Sequence, residues 1–466
     1  MAGHMDFRYG RGSGAVAAHG ASRGGQWMRR LTSHPFLRGV AVVVAGTAAA
    51  QLITFAFAPL ITRLYGPEVF GVQGVFLAAV GIVVPLANLA YGASIALPAS
   101  DDEARTLFRL AVLMSLCVSG LSAIVFGLFH RQIADAIGFM AESRLLWLAP
   151  AAILLIALAQ PFHQWLARKK KFAAMSRVSI AEAAIVGAGK TAAGIMAPTA
   201  AVLLASVVLA AMLKLALYWT SARGTLMRRD EPAEADSAGR VSLAEAAYRF
   251  RDFPLFRAPN DWLNSVSHSI PPLLLAAFLG PAAAGFYVLA ARVVSLPGSI
   301  VAAAVGTVFL PRFAEASHRS ERLRPLLLKG TGALAAVGLV PFGILVAFAP
   351  WLFRFVFGAD WTEAGEYARW LSLWFYFVFI AAPAHQAFPI LGLQGQFLAY
   401  EVAIVVLRTA ALLTGTLVFG SAIVAIALFS AVGALVNVSQ IAWCVVCCDR
   451  RLHDSIRSAD DKGEFV

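Results

Sequence analysis

The chain has 466 residues, of which 59% are hydrophobic and 14% are charged, and its formal net charge is +12. A soluble protein carries about 25% charged residues, so this chain has too few charges to cover a water-exposed surface of its size. The positive charge does not indicate nucleic-acid binding, because the basic residues are scattered over short segments between apolar runs.

Apolar runs of about 18 residues or more recur along the chain, and each is long enough to cross a bilayer. They predict an all-α polytopic membrane protein with twelve transmembrane helices. The polar, Gly- and Arg-rich residues 1–38 ahead of them are predicted to be a disordered cytoplasmic segment. The predicted spans are 39–62, 69–97, 106–129, 145–166, 178–197, 199–220, 255–279, 283–310, 325–349, 369–391, 397–419 and 421–448.

A repeat divides these spans into two halves. The Gly-Pro-x-x-x-Gly pattern of positions 66–71 recurs at positions 280–285, and Pro-x-His-Gln occurs at both 161–164 and 383–386. Two matches in the same order at nearly the same offset predict two pseudo-symmetric six-helix bundles around a central cavity. The predicted divisions are a first bundle at 39–221, a cytoplasmic linker at 222–254, a second bundle at 255–448 and a cytoplasmic tail at 449–466.

Positive charge predicts the orientation. With the N-terminus in the cytoplasm, 28 of the 38 Lys and Arg residues lie in cytoplasmic loops and helix ends, and five lie on the opposite side. Cytoplasmic loops are enriched in Lys and Arg. Both termini are therefore predicted to be cytoplasmic.

Two motifs suggest other chemistry and are incomplete. Residues 187–191 read Gly-Ala-Gly-Lys-Thr, but Ala184 stands where a phosphate-binding loop needs its first glycine, and the flanks are membrane spans. Cys444, Cys447 and Cys448 lack the second ligand pair of a tetrahedral zinc site. With no catalytic carboxylate pair or nucleophile motif, the sequence predicts a non-enzyme without cofactor or metal.

The seventh span carries the most conspicuous polar stripe. Arg257, Asp261, Asn264 and His268 are spaced four, three and four residues apart, which places them on one helical face beside Asn260. A charge in hydrocarbon costs about 2.5–3.5 kcal/mol on insertion scales. The stripe indicates either a water-filled cavity, which we favour, or helix packing that includes a local Arg257–Asp261 pair.

The offset between the two Gly-Pro copies maps this stripe onto the first span. Thr47, Gln51 and Thr54 stand there with spacings of four and three. Both equivalent helices are therefore predicted to have a polar face, uncharged in the first half and charged in the second.

Further charges lie inside predicted spans. Arg292 lies deep in the eighth span, whereas Lys214 is near a cytoplasmic end, where its ammonium is expected to reach the interface. Glu401 and Arg408 are seven residues apart on one face, so they are expected to neutralise each other. An excess of cations in a cavity attracts an anionic substrate. The candidate cavity or coupling charges are Lys190, Asp261, Glu401 and Arg408.

Several segments resemble a known family. Residues 46–71 and Ala96-Leu97-Pro98, followed by acidic residues 101–103, resemble the opening of Wzx-type polysaccharide (O-antigen) flippases, within the multidrug/oligosaccharidyl-lipid/polysaccharide exporter superfamily. The resemblance covers roughly residues 40–445 and departs at residues 90–92, Ala-Tyr-Gly, where family members often have an Arg-Tyr-Glu-like stretch. In the second half the resembling segments are 253–254, 270–271, 285–292 and 296–297.

The resemblance implies a cavity lined by helices 1, 2, 7 and 8. It implies a flippase that moves an undecaprenyl-pyrophosphate-linked oligosaccharide from the cytoplasmic to the periplasmic leaflet of the inner membrane by alternating access, for lipopolysaccharide or exopolysaccharide synthesis. The implied partners are this lipid-linked substrate, membrane lipids and, transiently, polysaccharide assembly proteins.

On this hypothesis the candidate residues have distinct roles. Arg257 and Arg292 attract the pyrophosphate, and Asp261 either tunes these arginines or carries a coupling proton. The full set of candidate substrate-binding residues is Arg257, Asn260, Asp261, Asn264, His268, Arg292, Gln51, Thr47 and Tyr287.

Three rival functions have their own expected features. A multidrug exporter of the same superfamily is expected to need a deep acid in the first bundle, where only Glu182 is present. A lipid II flippase typically has two more helices than the twelve predicted here. A membrane polysaccharide polymerase or ligase is expected to use a large periplasmic loop, whereas the longest outward loops here, 130–144 and 350–368, are short.

Overall fold

The computed structural model describes residues 35–227, 242–298, 309–319, 322–388, 390–391 and 394–461. Within these ranges the regular structure is helical, and its twelve long helices are labelled α1 to α12 in chain order. The first six are α1 Pro35–Leu64, α2 Pro67–Ala87, α3 Asp101–Ala136, α4 Leu148–Arg168, α5 Phe172–Met196 and α6 Ala200–Leu226. The others are α7 Ala258–Leu279, α8 Pro281–Val294, α9 Leu323–Phe357, α10 Thr362–Ala387, α11 Gln394–Leu417 and α12 Ala422–Asp461.

These helices make the chain a multi-pass membrane protein. Nine helices among the described residues are long and apolar enough to cross a bilayer, and α7, α8 and α10 are not among them. The predicted count of twelve spans therefore stays a prediction. The break predicted at Pro198 is present, because α5 ends at Met196 and α6 begins at Ala200.

Some predicted boundaries fall outside the described residues. Residues 1–34 of the N-terminal segment, residues 228–241 of the linker and residues 299–308 of the eighth span are among these. At the C-terminal end, α12 continues past the predicted boundary at 448 as far as Asp461.

Small residues allow α1 and α5 to lie side by side in the first bundle. A Cβ atom on Gly46 would lie 2.3 Å from the Ser176 Cβ, and one on Gly187 would lie 2.4 Å from the Phe57 ring. Both contact positions increase together along the chain, so the two helices are parallel. Close approach over small residues is how helices pack where lipid removes the hydrophobic driving force.

The two Gly-Pro copies contact each other where α2 crosses α8. A Cβ atom on Gly71 would lie 1.7 Å from the carbonyl oxygen of Pro281, and one on Gly285 would lie 2.1 Å from that of Pro67. In each half, the last glycine of the Gly-Pro copy therefore leaves room for the first turn of the helix that begins in the other half's copy. The repeat found in the sequence is an approximate two-fold contact between the bundles.

Further contacts between the bundles surround this crossing. The Trp361 indole Nε1 donates a hydrogen bond to the Thr62 carbonyl at 2.9 Å, and its ring lies edge-on to Phe70 at 5.3 Å. Arg63 donates to the carbonyl of Phe355 at 3.1 Å. These contacts seal one end of the molecule, here called the closed end, which consists of residues 62–71, 280–286 and 355–361.

The linker packs at the opposite end, here called the linker end, which consists of residues 91–105, 163–179 and 242–257. The Ser242 side chain caps a short helix, Leu243–Arg249. Arg249 of this helix forms an ion pair with Glu103 at 2.8 Å, and the Tyr91 hydroxyl donates to the Ala247 carbonyl at 3.3 Å. The linker helix is therefore docked on the first bundle.

Candidate functional site

A cavity of about 730 Å³ lies within the first bundle. Its wall comes from α1, α2, α4, α5 and α6, and Leu289 and Arg292 of α8 complete it. No described residue of α7 lines this cavity. The polar and charged lining residues are Thr47, Gln51, Thr54, Gln73, Gln160, His163, Ser179, Glu182, Lys190, Lys214, Tyr218 and Arg292.

The polar face of α1 points into this cavity. Thr47, Gln51 and Thr54 all line it, as their shared helical face allows. The parallel contact with α5 fixes their depth, since Gly46 lies against Ser176 near the linker end. The α1 stripe therefore supplies hydrogen-bonding groups to the half of the cavity nearer the linker end.

Two cations face each other deeper in the cavity. Lys190 of α5 and Arg292 of α8 both line it, and their charges lie close enough to interact. Neither forms an ion pair with an acid among the residues that the structure describes. Since two unpaired cations repel each other in a low-dielectric site, this position favours an anionic ligand.

A second group of ionisable side chains lies toward the linker end. Lys214 forms an ion pair with Glu182 at 3.0 Å, and the His163 ring lies edge-on to Tyr218 with centroids 5.7 Å apart. Lys214 thus has a partner on the neighbouring helix, and the expectation that it extends to the membrane interface stays a prediction. The sequence contains one indication of this group. Glu182 lies eight residues, or about two turns, before Lys190, so both side chains lie near the same face of α5.

The predicted stripe on α7 lies outside the cavity lining. Arg257 and Asp261 form a long ion pair at 3.6 Å, with about half of each side chain exposed. Asn260, Asn264 and His268 are also exposed. The stripe is thus brought together on one face, and its predicted role in substrate binding stays a prediction.

The face of α7 next to this stripe holds the helix against the first half. The Ser265 hydroxyl donates to the Gly81 carbonyl of α2 at 2.6 Å, and a Cβ atom on Gly81 would lie 3.4 Å from the Ser269 hydroxyl. The stripe therefore lies beside the interface between the bundles.

Arg408 lies in the second bundle, with 9% of its surface exposed. Its guanidinium carbon is 3.8 Å from the ring centre of Trp374 and 4.1 Å from that of Phe429. Cation–π contacts of this kind contribute about 2 kcal/mol or more when they are desolvated. Tyr287 is buried edge-on against the same Phe429, with centroids 6.5 Å apart, and does not line the cavity.

Glu401 and Arg408 do not form the expected ion pair. Glu401 instead accepts a hydrogen bond from the Gln440 amide at 3.2 Å, and Gln440 is also hydrogen-bonded to His385 at 2.8 Å. The guanidinium of Arg408 is turned to the aromatic rings, and its Nε has no hydrogen-bond partner among the described residues. The two groups are about two turns apart on one helix, yet their charges lie close enough to interact. Mutual neutralisation across this gap stays a prediction.

The described residues contain no group of three or more His, Cys, Asp or Glu side chains able to hold a metal ion.

A family model described as "Polysaccharide biosynthesis protein" matches residues 60–366, which is more than half of the chain. The succinoglycan biosynthesis transport protein ExoT of Rhizobium meliloti (strain 1021) is 25% identical over 327 residues, covering 69% of this chain and 62% of that protein. The match thus spans less than two thirds of that relative.

Solved structures share the fold. An inward-facing multidrug resistance MATE family transporter of the MOP superfamily superposes with a TM-score of 0.69 at 14% identity, covering 87% of this chain and 96% of that one. The lipid II flippase MurJ in an inward closed conformation gives 0.66 at 12% identity, covering 86% and 87%. The chain therefore shares the fold of these two transporter structures.

Proposed function

The chain belongs to the polysaccharide biosynthesis family whose model it matches, and we propose that it is a flippase for an undecaprenyl-pyrophosphate-linked oligosaccharide. It moves this substrate from the cytoplasmic to the periplasmic leaflet of the inner membrane by alternating access. The sugar–pyrophosphate headgroup enters the cavity while the lipid tail stays in the bilayer.

The observation that carries this proposal is that Lys190 and Arg292 lie close together in the cavity, and neither has an acidic partner among the described residues. Guanidinium and ammonium groups are the usual protein ligands of phosphate oxygens, through short charge-assisted hydrogen bonds. Because Arg292 belongs to α8 and Lys190 to α5, a pyrophosphate held by both would bridge the two bundles. Such a ligand couples binding to the relative position of the bundles, as alternating access requires.

The size of the cavity favours one oligosaccharide unit over a polymer. Its volume of about 730 Å³ lies within the roughly 300–1,000 Å³ of small-ligand pockets. That space suits a pyrophosphate and a few sugar rings. Its polar lining supplies hydrogen-bond partners for hydroxyl groups on three sides, from Gln51, Gln160 and Ser179.

The charge of the cavity disfavours the multidrug alternative. A cationic drug would need a free carboxylate, and Glu182 is already paired with Lys214 at 3.0 Å. The lining carries more cations than acids, so it repels cationic ligands and attracts anionic ones. Lipid II also carries a pyrophosphate, so the substrate assay described below includes it.

The charge bias of the loops supports an orientation with the linker end and both termini in the cytoplasm. The closed end then faces the periplasm, which makes this an inward-facing state. To release substrate outward, the Gly71–Gly285 crossing has to separate. The exposed α7 stripe, with Arg257, Asp261 and His268, is then placed to contact the glycan in the opposite state.

Substitution of Arg292 tests the proposal. Arg292→Gln should abolish surface polysaccharide and cause lipid-linked oligosaccharide to accumulate in the cytoplasmic leaflet, since losing one charge-assisted contact costs about 1.5–3 kcal/mol. The measurement is leaflet-resolved analysis of undecaprenyl-linked glycans in cells that carry the variant as their only copy. Lipid II is quantified in the same extracts.

Arg354→Gln is the matched control, because Arg354 is exposed near the closed end and does not line the cavity. It should leave all glycan lipids at wild-type levels. Wild-type polysaccharide from Arg292→Gln at equal protein level would remove the pyrophosphate role, and accumulation of lipid II alone would assign the activity to the lipid II flippases.

A further inference from the structure

The charged residues of the cavity form two groups at different positions along its length. Lys190 lies nearer the closed end, where the Tyr65 hydroxyl donates to its carbonyl oxygen at 3.0 Å, and the charge of Arg292 is close enough to interact with it. The Glu182–Lys214 ion pair lies nearer the linker end. Lys190 follows Glu182 by eight residues of α5, so these two residues are about 12 Å apart along the helix axis. The cavity therefore has a cationic zone and a separate zone around Glu182.

The cationic zone alone balances a pyrophosphate diester. The lining holds three cations, Lys190, Lys214 and Arg292, and one carboxylate, Glu182. Since Lys214 and Glu182 neutralise each other at 3.0 Å, the surplus is the Lys190–Arg292 pair. A pyrophosphate diester carries one negative charge on each phosphorus, so this pair leaves no cation over for a further anionic group.

The zone around Glu182 is built for uncharged polar groups. Besides the ion pair, its lining consists of amide, hydroxyl and aromatic groups: Gln51, Gln160, Thr47, Ser179, Tyr218 and the His163 ring. These side chains donate and accept hydrogen bonds without net charge. A sugar carboxylate placed among them would face the Glu182 carboxylate and would compete with it for Lys214.

The position of the pyrophosphate decides which sugars meet this zone. Arg292 is contributed by the second bundle, so the cationic zone lies at the interface between the bundles, where a lipid tail can leave toward the bilayer. The sugars attached to the pyrophosphate then extend into the first bundle, toward Glu182 and the linker end.

We propose that the sugars nearest the pyrophosphate are neutral, and that Glu182 discriminates against substrates with a carboxylate on these first sugars. This inference rests on the proposed function, because it concerns the same cavity. It names the substrate class as a pyrophosphate-linked glycan with an uncharged reducing-end segment. Acidic groups further along the glycan lie beyond the cavity and are tolerated.

Transport of two defined lipids by the purified full chain in proteoliposomes tests this. The probes are undecaprenyl-pyrophosphate disaccharides that are identical except that the second sugar is glucose in one and glucuronic acid in the other. A membrane-impermeant oxidant measures how much of each reaches the opposite leaflet. Like-charge repulsion in a low-dielectric cavity should make the neutral probe move at least about tenfold faster in the wild type.

Two variants test whether Glu182 causes the preference for the neutral probe. Glu182→Gln should raise transport of the glucuronic acid probe toward that of the glucose probe. The double variant Glu182→Gln with Lys214→Gln restores the wild-type net charge without the carboxylate, so it should also lose discrimination. If the double variant still discriminates tenfold, Glu182 is not the selective group.

The outcomes for the wild type separate the two proposals. Equal rates for both probes would overturn the inference and leave the flippase function intact. Failure to move either probe would overturn the proposed function itself. The comparison of the two probes in the wild type decides the substrate class even where a variant does not fold.

Discussion

The two bundles share a plan, but among the described residues only the first encloses the cavity. The Pro-x-His-Gln echo begins at Pro161 and Pro383, and α6 and α12 begin at Ala200 and Ala422, which is the same offset along the chain. The helices that surround the cavity in the first bundle therefore have counterparts around Arg408 in the second. The difference lies in the side chains that they direct inward.

Large side chains occupy the second bundle where the first has smaller ones. The same offset matches Trp374 to Ala152 and Phe429 to Val207. Both aromatic rings stack on Arg408, whereas Val207 lines open space. The duplication thus produced one bundle that holds a ligand and one in which aromatic rings fill the equivalent space, with a buried cation in each.

The largest effect is expected for Trp374→Ala, which removes one of the aromatic rings that fill the second bundle. Trp374 is 5% exposed, and its loss leaves a cavity beside Arg408, at a cost of about 3–5 kcal/mol. The measurement is thermal unfolding of the purified protein in detergent. Trp351→Ala is the control, since Trp351 is 63% exposed and should lower the unfolding temperature little. Equal shifts for the two variants would mean that the second bundle does not depend on this packing.

Alanine at Gly71 or Gly285 tests whether the two halves contribute equally where they cross. Each new methyl group would clash with a backbone carbonyl oxygen of the other half, so each variant should lose about 1–3 kcal/mol by overpacking. Thermal unfolding should show similar losses for both variants and a non-additive double variant. Gly120→Ala is the control, because no atom lies near its added methyl. Strongly unequal losses would contradict the two-fold character of the crossing.

The sequence was sufficient to predict the two related halves and most of the helices. Pro198 and its neighbours indicated the break between the fifth and sixth spans, and the Gly-Pro repeat indicated the two halves before any contact was known. The periodicity of Thr47, Gln51 and Thr54 likewise predicted one polar face of α1, and that face lines the cavity.

Sequence periodicity cannot predict which neighbour a polar face meets, because that depends on contacts between distant segments. Lys214 of α6 forms an ion pair with Glu182 of α5. Its position within its own span suggested only the membrane interface and did not reveal this partner. Arg408 has Glu401 on its own face, yet its partners are rings from α10 and α12. The α7 stripe lies beside the Ser265 contact with α2 instead of in the described cavity.

Methionine at Lys190 or Arg408 should separate the ligand-binding cation from the packing cation. Lys190→Met should weaken binding of undecaprenyl pyrophosphate by roughly 10- to 100-fold, because one charge-assisted contact contributes about 1.5–3 kcal/mol. Arg408→Met should leave this binding unchanged, since the guanidinium is enclosed by Trp374 and Phe429. Titration of the purified protein with the lipid in nanodiscs measures both. Weaker binding in Arg408→Met at an unchanged unfolding temperature would show that the second bundle also holds the ligand.

The smallest effect is expected at the linker, which docks on the first bundle. Arg249→Gln removes the ion pair with Glu103, in which the arginine side chain is 65% exposed. Exposed pairs contribute about 0.2–1 kcal/mol and are screened by salt, so global stability should change little. Hydrogen exchange of the Leu243–Arg249 amides should nevertheless quicken by up to about fivefold at low salt, and the difference from wild type should vanish at high salt. Arg223→Gln, a nearby exposed arginine on α6, should leave these amides unchanged. If Arg249→Gln has no effect at low salt either, the ion pair does not contribute to docking of the linker helix on the first bundle. The helix is then held by its other contacts, such as the Tyr91–Ala247 hydrogen bond.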